Sequence, residues 1–335
     1  MSVYEYTGNE ALDWLQRNPA SVWYEEKGAG DRDGGWLAAK RLGLPVFRPW
    51  VQPRFRVRKV DHVFAIGSCF ARGIEMALTS RGFTVDSLTS AFDQERLRRT
   101  DVRARGTMNK YNIPAMRQEI EWALVPDKEW PADCLVPLGD GTWFDTQSAP
   151  FLEFAHFEKA VERRRRVQQV VRELTHCRVV ILTLGMAEAW KDKRSGLVMN
   201  SSPLAEMVRR EPDRYAFHVL DYSENWESLE TIHRILSAYG HPEYQIVVTV
   251  SPQPLFATFS PQDIVVANAF SKAMLRTLAG TWEARHDNVH YFPSYEIVMN
   301  SAPALVWQAD RRHVTGELAH AIVDCFVRNY VVEER

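Results

Sequence analysis

The sequence has few cysteines, little net charge and no long apolar run. Its cysteines form no Cys-x-x-Cys pair, which is typical of reduced thiols; they are Cys69, Cys134, Cys177 and Cys325. The net charge of -2 indicates neither a nucleic-acid nor a membrane partner. No run approaches the ~20 apolar residues of a membrane span, and the N-terminus does not resemble a secretory signal. We therefore expect a cytoplasmic protein; its oligomeric state stays open.

Strands and helices alternate along the chain after about residue 60. The predicted strands are 63–67, 83–88, 178–185, 245–251 and 289–292. The predicted helices are 69–81, 114–124, 156–175, 226–239, 262–284 and 314–330. Three strands are nearly continuous runs rich in Val and Ile, as expected of parallel strands covered on both faces. The pattern predicts an α/β fold with a three-layer, doubly wound, mostly parallel sheet, in which ligands bind beyond the carboxyl ends of the strands.

The composition also predicts how the chain is divided. Residues 1–60 are rich in Trp, Pro, Gly and charge, and we expect them to form an N-terminal extension packed on a core domain of residues 61–330. Segments at about 125–155 and 186–225 interrupt the alternation. The first contains a possible β-hairpin at 134–148, and the second is long enough to be a lid-like insertion.

Three short motifs are better explained without a bound ligand. The glycine-rich segment 28–36 follows no strand and opens no helix, so it is a weak dinucleotide motif. The run of arginines at 163–166 lies among glutamates in a helix, which favours a solvated face over a phosphate site. His286 and His290 have i, i+4 spacing but no evident third ligand. We predict no cofactor and no metal.

The stretch 62-HVFAIGSCFARGIEMAL-78 passes from an apolar strand directly into an amphipathic helix. Gly67 permits a tight turn, and Ser68 would lie at the mouth of the sheet. Serine is a preferred N-cap, so this stretch alone favours a capping role. The unsatisfied N–H groups of the helix would, however, also stabilise an oxyanion formed beside a nucleophilic hydroxyl.

A possible base and its orienting carboxylate lie near the other end of the chain. Asp310 precedes His313 by three residues, just before the last predicted helix. A histidine activates a serine by taking its proton, and a carboxylate holds the imidazole in the required tautomer. An Asp-x-x-His spacing is common by chance, and a salt-linked surface turn would show the same pattern.

Several blocks of the sequence resemble one family. The pentapeptide 67-GSCFA-71 is the motif for which the GSCFA family is named, a family similar to the SGNH-type esterases and acyltransferases. Further blocks follow in the family's order; they are 109-NKYNIPAMRQEIEWAL-124, 182-LTLGMAEAW-190, 249-TVSPQPLFATF-259 and 310-DRRHVT-315. The resemblance covers roughly residues 45–330. It implies an SGNH- or flavodoxin-like fold, with Ser68 as nucleophile, His313 as base and Asp310 as its orienting residue.

The resemblance also implies an oxyanion hole, but here the sequence departs from the SGNH pattern. The third block contains the sequence Gly185-Met-Ala-Glu188, without the expected asparagine. Nearby amide donors are Asn109 and Asn112, in the second block. We predict that Asn112 acts with the Gly185 amide. Glu188 could bind substrate or form a buried ion pair, and we favour the structural role.

Cys69 is a rival nucleophile, because a thiol at the first position of a helix can gain reactivity. Neighbouring side chains at a strand-to-helix turn point in different directions, so only one of Ser68 and Cys69 would face the site. With the resemblance, this favours Ser68, with Cys69 packed as a small apolar residue.

The sequence therefore predicts a serine-dependent esterase or O-acyltransferase that acts through an acyl-serine intermediate. Its expected partner is a small-molecule or carbohydrate acyl ester or acceptor. Two alternatives stay open: Cys69-dependent acyl transfer, and a catalytically idle binding module in which Ser68 is only a helix cap.

Overall fold

The centre of the protein is a parallel sheet flanked by helices. The structure is a computed structural model, and it describes residues 3–24, 35–98 and 103–332. The strands are β1 (Val63–Gly67), β2 (Leu135–Pro137), β3 (Trp143–Asp145), β4 (Val179–Leu184), β5 (Glu188–Asp192), β6 (Val198–Met199), β7 (Tyr215–Val219), β8 (Gln245–Val250) and β9 (Val289–Tyr291). The helices are α1 (Gly8–Arg17), α2 (Ala38–Leu42), α3 (Cys69–Thr79), α4 (Ile113–Leu124), α5 (Phe157–Arg172), α6 (Ala205–Arg210), α7 (Tyr222–Tyr239), α8 (Ile264–Arg285), α9 (Ser294–Met299), α10 (Pro303–Val306) and α11 (Gly316–Tyr330). Short 3₁₀ helices cover Ala104–Met108, Ala132–Cys134 and Glu173–Thr175.

The central sheet has the strand order β1-β4-β8-β9, with every pair parallel. The register aligns Gly67 with Thr183 and Thr183 with Thr249, so β1, β4 and β8 end at one edge. Four of the predicted strands are thereby confirmed, including the pairing of the first with the third. The predicted strand at 83–88 is instead a single parallel bridge between Val85 and Val63. Next to this bridge, the N–H of Ala65 in β1 is bound by a side chain, Ser87 Oγ, in place of a backbone carbonyl.

The strands of the central sheet are buried on both faces, as their apolar sequences predict. One face, represented by Ile66 and Val248, packs in a cluster with residues of α4, α5, α7 and α8. The other face, represented by Ala65 and Val247, packs with residues of α3, α9 and α11. Helices on both faces of a mainly parallel sheet make this an α/β fold.

The interrupting segments are structured. The hairpin predicted at 134–148 is confirmed by the antiparallel pairing of β2 and β3. The segment 186–225 holds a second sheet with the antiparallel order β6-β5-β7, together with α6. Toward the N-terminus, Phe55 and Val57 are buried in the core, whereas α1 buries no residue. Most of the glycine-rich segment 28–36 lies outside the described residues.

A network of buried charges replaces part of the solvated face expected at 163–166. Arg164 and Glu119 are both fully buried and form two hydrogen bonds, of 2.7 and 3.0 Å. Lys110, also fully buried, donates to Glu119 at 2.6 Å and to the carbonyl of Gln147 at 2.5 Å. Burial alone would raise the pKa of Glu119, but the two cations lower it to about 2. Of the four arginines at 163–166, Arg164 is therefore part of the protein interior.

The cysteines form no disulfide. Cys69 is half-buried, and the other three cysteines are buried; all four are free thiols. Within the described ranges, no helix is both long enough and apolar enough to cross a bilayer.

Candidate active site

The site begins where β1 ends and α3 starts. Gly67 has φ +148°, and a Cβ at this position would lie 2.0 Å from Thr183 Oγ1 on β4. Glycine therefore permits the backbone conformation and the close approach of the two strands. The next two residues, Ser68 and Cys69, emerge at the carboxyl edge of the sheet, where α/β proteins bind their ligands.

Ser68 is the N-cap of α3. Its Oγ accepts the N–H of Phe70 at 3.3 Å and donates to Ser251 Oγ, just beyond β8, at 2.8 Å. The side chain is almost fully buried. Among the described residues, Ser68 and His313 form no hydrogen bond. The capping interpretation thus accounts for the observed contacts of Ser68.

Cys69 is the first residue of α3 and is half-buried. Its thiol donates to Gln253 Oε1, and it lies near enough to the His313 imidazole to raise the pKa of that ring. This differs from the sequence-based expectation, which placed Ser68 beside the imidazole and packed Cys69 as an apolar residue. The turn after Gly67 directs the hydroxyl toward β8 and leaves the thiol facing the histidine.

Asp310 and His313 form the predicted dyad. Asp310 Oδ2 lies 2.5 Å from His313 Nδ1, while Oδ1 accepts the backbone N–H groups of Arg312 and His313 at 2.9 and 3.0 Å. The same carboxylate therefore shapes the turn and orients the ring. Arg311 completes the turn with φ 52°, a left-handed conformation that is strained for a side chain with a Cβ.

Electrostatics within the dyad follow from these contacts. The neighbouring Cys69 thiol is the main cause of the raised pKa of His313, and Asp310 adds to the effect. The hydrogen bonds from His313, first that of its backbone N–H, lower the pKa of Asp310. With Nδ1 engaged by Asp310, Nε2 is the ring nitrogen that would exchange a proton with the thiol, and Arg312 Nη1 lies 3.3 Å from it.

Two backbone amides at the sheet edge are available as oxyanion donors. Within the described parts of the chain, the N–H groups of Cys69 and Gly185 have no acceptor. The turn that carries Gly185 is held firmly: Lys272 Nζ donates to its carbonyl at 2.6 Å, and Met186 N–H donates to the carbonyl of Tyr111 at 2.9 Å. The predicted contribution of the Gly185 amide is thus compatible with the geometry.

The two asparagines of the second block have different surroundings. Asn112 is the N-cap of α4: its Oδ1 accepts the N–H of Ala115, and its Nδ2 donates to the carbonyl of Met199, both at 2.9 Å. The oxyanion role predicted for Asn112 is therefore not supported by its contacts. Asn109 donates its Nδ2 to the Tyr111 hydroxyl at 3.4 Å, and its Oδ1, which only accepts, has no partner among the described residues; these contacts do not support an oxyanion role for Asn109 either.

Glu188, in β5 of the second sheet, forms a hydrogen bond with the segment that follows β8. Its Oε1 accepts a hydrogen bond of 2.7 Å from Thr258 Oγ1, and its side chain is nearly buried. The aromatic rings of Trp190 and Phe259 pack edge to face beside it, with centroids 5.0 Å apart. The observed contact is a hydrogen bond to a threonine and not the buried ion pair considered for Glu188, and the structural role of Glu188 stays a prediction.

The sequence offered no reason to select several of the residues near Cys69 as site residues. Gln253 belongs to the fourth block of the family resemblance, but nothing in its spacing assigned it a partner. Lys272 lies in a helix, where a lysine usually indicates a solvated face. Tyr111 and Arg312 flank predicted site residues, and only that proximity could have selected them. In the regions that the structure describes, no three His, Cys, Asp or Glu side chains group as a metal site.

Comparison with known proteins identifies the family. The model of the GSCFA family matches residues 62–326, a range that includes Cys69, Asp310 and His313. No curated protein matches the chain.

Proposed function

The chain belongs to the GSCFA family, and we propose that it is an SGNH-like acyl-transfer enzyme whose nucleophile is Cys69. His313 is the proposed base and Asp310 its orienting residue. The observation that carries this proposal is the position of the half-buried Cys69 thiol as a neighbour of the His313 imidazole, whose Nδ1 lies 2.5 Å from Asp310 Oδ2. A nucleophile, a base within hydrogen-bond reach and a third group that orients the base are the recurrent parts of covalent acyl transfer.

The choice of Cys69 over Ser68 rests on contacts and exposure. The Ser68 hydroxyl is almost fully buried and donates to Ser251. The thiol is half-buried and borders the imidazole. A substrate carbonyl has to reach the nucleophile and the base together, and Cys69 meets that requirement without rearrangement.

The proposed reaction has two half-reactions. In the first, the thiol proton passes to His313 Nε2, the sulfur bonds to the acyl carbon, and His313 protonates the departing alcohol oxygen as the C–O bond breaks. In the second, His313 takes a proton from water or an acceptor hydroxyl, whose oxygen attacks the thioester and releases Cys69 as a thiol. The Cys69 and Gly185 N–H groups are the proposed donors to both tetrahedral intermediates.

Other features of the proposal follow from the fold. A parallel bridge from Val85 to the free side of β1 is compatible with an SGNH- or flavodoxin-like strand order. We assign the catalytic domain to residues 61–330 and treat residues 1–60 as an extension. A cytoplasmic setting, and a small-molecule or carbohydrate acyl ester or acceptor as partner, stay predictions.

The decisive experiment traps the acyl-enzyme. Short-chain p-nitrophenyl esters are mixed with the protein, the reaction is quenched in acid, and the acylated peptide is located by mass spectrometry. We expect the acyl group on Cys69, and rapid release by neutral hydroxylamine, which cleaves thioesters much faster than oxygen esters. A hydroxylamine-resistant acyl group on Ser68 would assign the nucleophile to the serine. A folded protein that is never acylated would be a binding module.

Changes in the dyad should have graded effects. His313→Ala removes the base, and we expect acyl transfer to fall to near the background rate. Asp310→Asn keeps an oxygen that can accept the turn's N–H groups but removes the charge, so we expect a loss of about 10³-fold in kcat. The remaining activity should have an apparent pKa below the wild-type value, because Asp310 contributes to the raised pKa of His313. Equal losses in both variants would contradict the separate roles.

A further inference from the structure

We propose that Arg312 and Lys272 form an anion subsite beside Cys69, so that the acyl substrate carries a carboxylate or phosphate group near its scissile bond. This inference rests on the proposed function, since it names the substrate class of the same site. Both side chains interact electrostatically with neighbours at the thiol: Lys272 with Cys69 and with Arg312, and Arg312 also with Tyr111.

Lys272 is a buried cation without a counter-ion. Its side chain is 1% exposed, and its one hydrogen bond goes to the Gly185 carbonyl. In the part of the chain that the structure describes, it forms no salt bridge. Burial lowers the pKa of Lys272 to about 7, because a charged ammonium is costly in an apolar interior. An anion bound nearby would offset that cost.

Arg312 contacts the imidazole of His313. Its guanidinium stacks over the ring of Phe256, 5.5 Å from the centroid, and its Nη1 is 3.3 Å from His313 Nε2. Its Nε is buried and has no acceptor among the described residues. The guanidinium therefore has at least one N–H group that no described acceptor satisfies, and an oxyanion is a favoured partner for such a group.

The carboxylate next to these cations is already engaged. Asp310 uses Oδ2 for His313 Nδ1 and Oδ1 for two backbone N–H groups. No acidic residue in the described ranges forms an ion pair with Arg312. Two cations whose charges are not balanced by the protein favour a negatively charged ligand at this place.

Alkylation of Cys69 tests the subsite without any knowledge of the substrate. Iodoacetate and iodoacetamide are nearly isosteric, and only the first is an anion. We expect the rate ratio of iodoacetate to iodoacetamide to be higher for Cys69 than for N-acetylcysteine in the same buffer, and to fall as salt is added. Peptide mapping shows which cysteine is alkylated. We expect it to be Cys69, because the other three cysteines are buried.

Variants separate the subsite from the general reactivity of the thiol. Arg312→Gln and Lys272→Met should each lower the ratio by about fivefold or more, since one charge a few ångströms away contributes at least about 1 kcal/mol. The readout is the ratio and not the iodoacetamide rate itself, because Arg312 also contacts His313 and Lys272 supports the Gly185 turn. Arg311→Gln is the matched control, because it removes the same charge from the adjacent exposed position, and it should leave the ratio nearly unchanged. Equal slowing of both reagents would overturn the proposal and limit the cations to stabilising the thiolate.

Ester pairs then locate the anion on the substrate. A hemisuccinate ester is compared with a butyrate ester of one alcohol, and a butyrate ester of a phosphorylated alcohol with its unphosphorylated form. We expect Arg312→Gln to raise KM at least about fivefold for one charged member and for neither neutral member. If KM rises equally within both pairs, the subsite is absent although acyl transfer stands. If no ester is turned over while the alkylation ratio behaves as expected, the proposed activity fails and the anion subsite stands.

Discussion

Replacing Cys69 by alanine is expected to lower kcat/KM for ester turnover by about 10³-fold or more, because loss of a catalytic nucleophile costs up to about 10⁶ in kcat in enzymes of this kind. The residual rate would come from the oxyanion donors and from binding. Ser68→Ala should retain at least about a tenth of the wild-type kcat/KM. Its main effect would be the loss of the α3 N-cap, which destabilises the fold by about 1 kcal/mol.

Initial rates and thermal unfolding of both variants check this prediction together. Cys69→Ser is the matched control, since it keeps a small polar nucleophile beside His313 and tests whether sulfur itself is required. A dead Ser68→Ala that remains folded, next to an active Cys69→Ala, would restore the serine mechanism predicted from the sequence. A misfolded Ser68→Ala is replaced by Ser68→Thr, which keeps a capping hydroxyl.

Glu119→Gln is expected to lower the free energy of unfolding by about 3–5 kcal/mol, the usual cost of breaking a buried ion pair by removing one partner. Glu119 is fully buried between Lys110 and Arg164. Its replacement leaves two positive charges in the interior with reduced compensation. Urea denaturation followed by circular dichroism measures the change, and acyl-enzyme formation at low urea shows whether the site survives.

The control is Glu121→Gln, two residues further along α4. Glu121 pairs with Arg117 and Lys128, both partly exposed, so its loss should cost about 0–1 kcal/mol. The pH dependence adds a second check. The depressed pKa of Glu119, about 2 against an ordinary 4.5, makes its stabilisation complete above about pH 4.5 and lost as the pH falls toward 2. The stability difference between wild type and Glu119→Gln should therefore shrink over that window. A difference that stays constant from pH 6 to 3 would contradict the assignment.

The regular elements of the core were largely predictable from local patterns. The Val- and Ile-rich runs that became β1, β4 and β8 are buried on both faces, and this burial is what a continuous apolar run requires. The prediction of a strand at 83–88 was wrong because Ser87 bonds to β1 through its side chain and not through its backbone. A pattern of strand propensity does not show such a contact. The structure of 186–225 was missed because its short strands pair with one another rather than with the central sheet.

The sequence by itself determined that a glycine, a serine and a cysteine stand between a buried strand and a helix, and that a carboxylate lies one turn from a histidine. Local spacing suffices for both, since each involves neighbours in the chain. Only the tertiary structure decided that His313 contacts Cys69, that Ser68 bonds to Ser251, and that Lys272 is buried beside the site. These pairings join distant segments, and the choice between adjacent side chains depends on backbone angles at Gly67 that residue types alone do not specify.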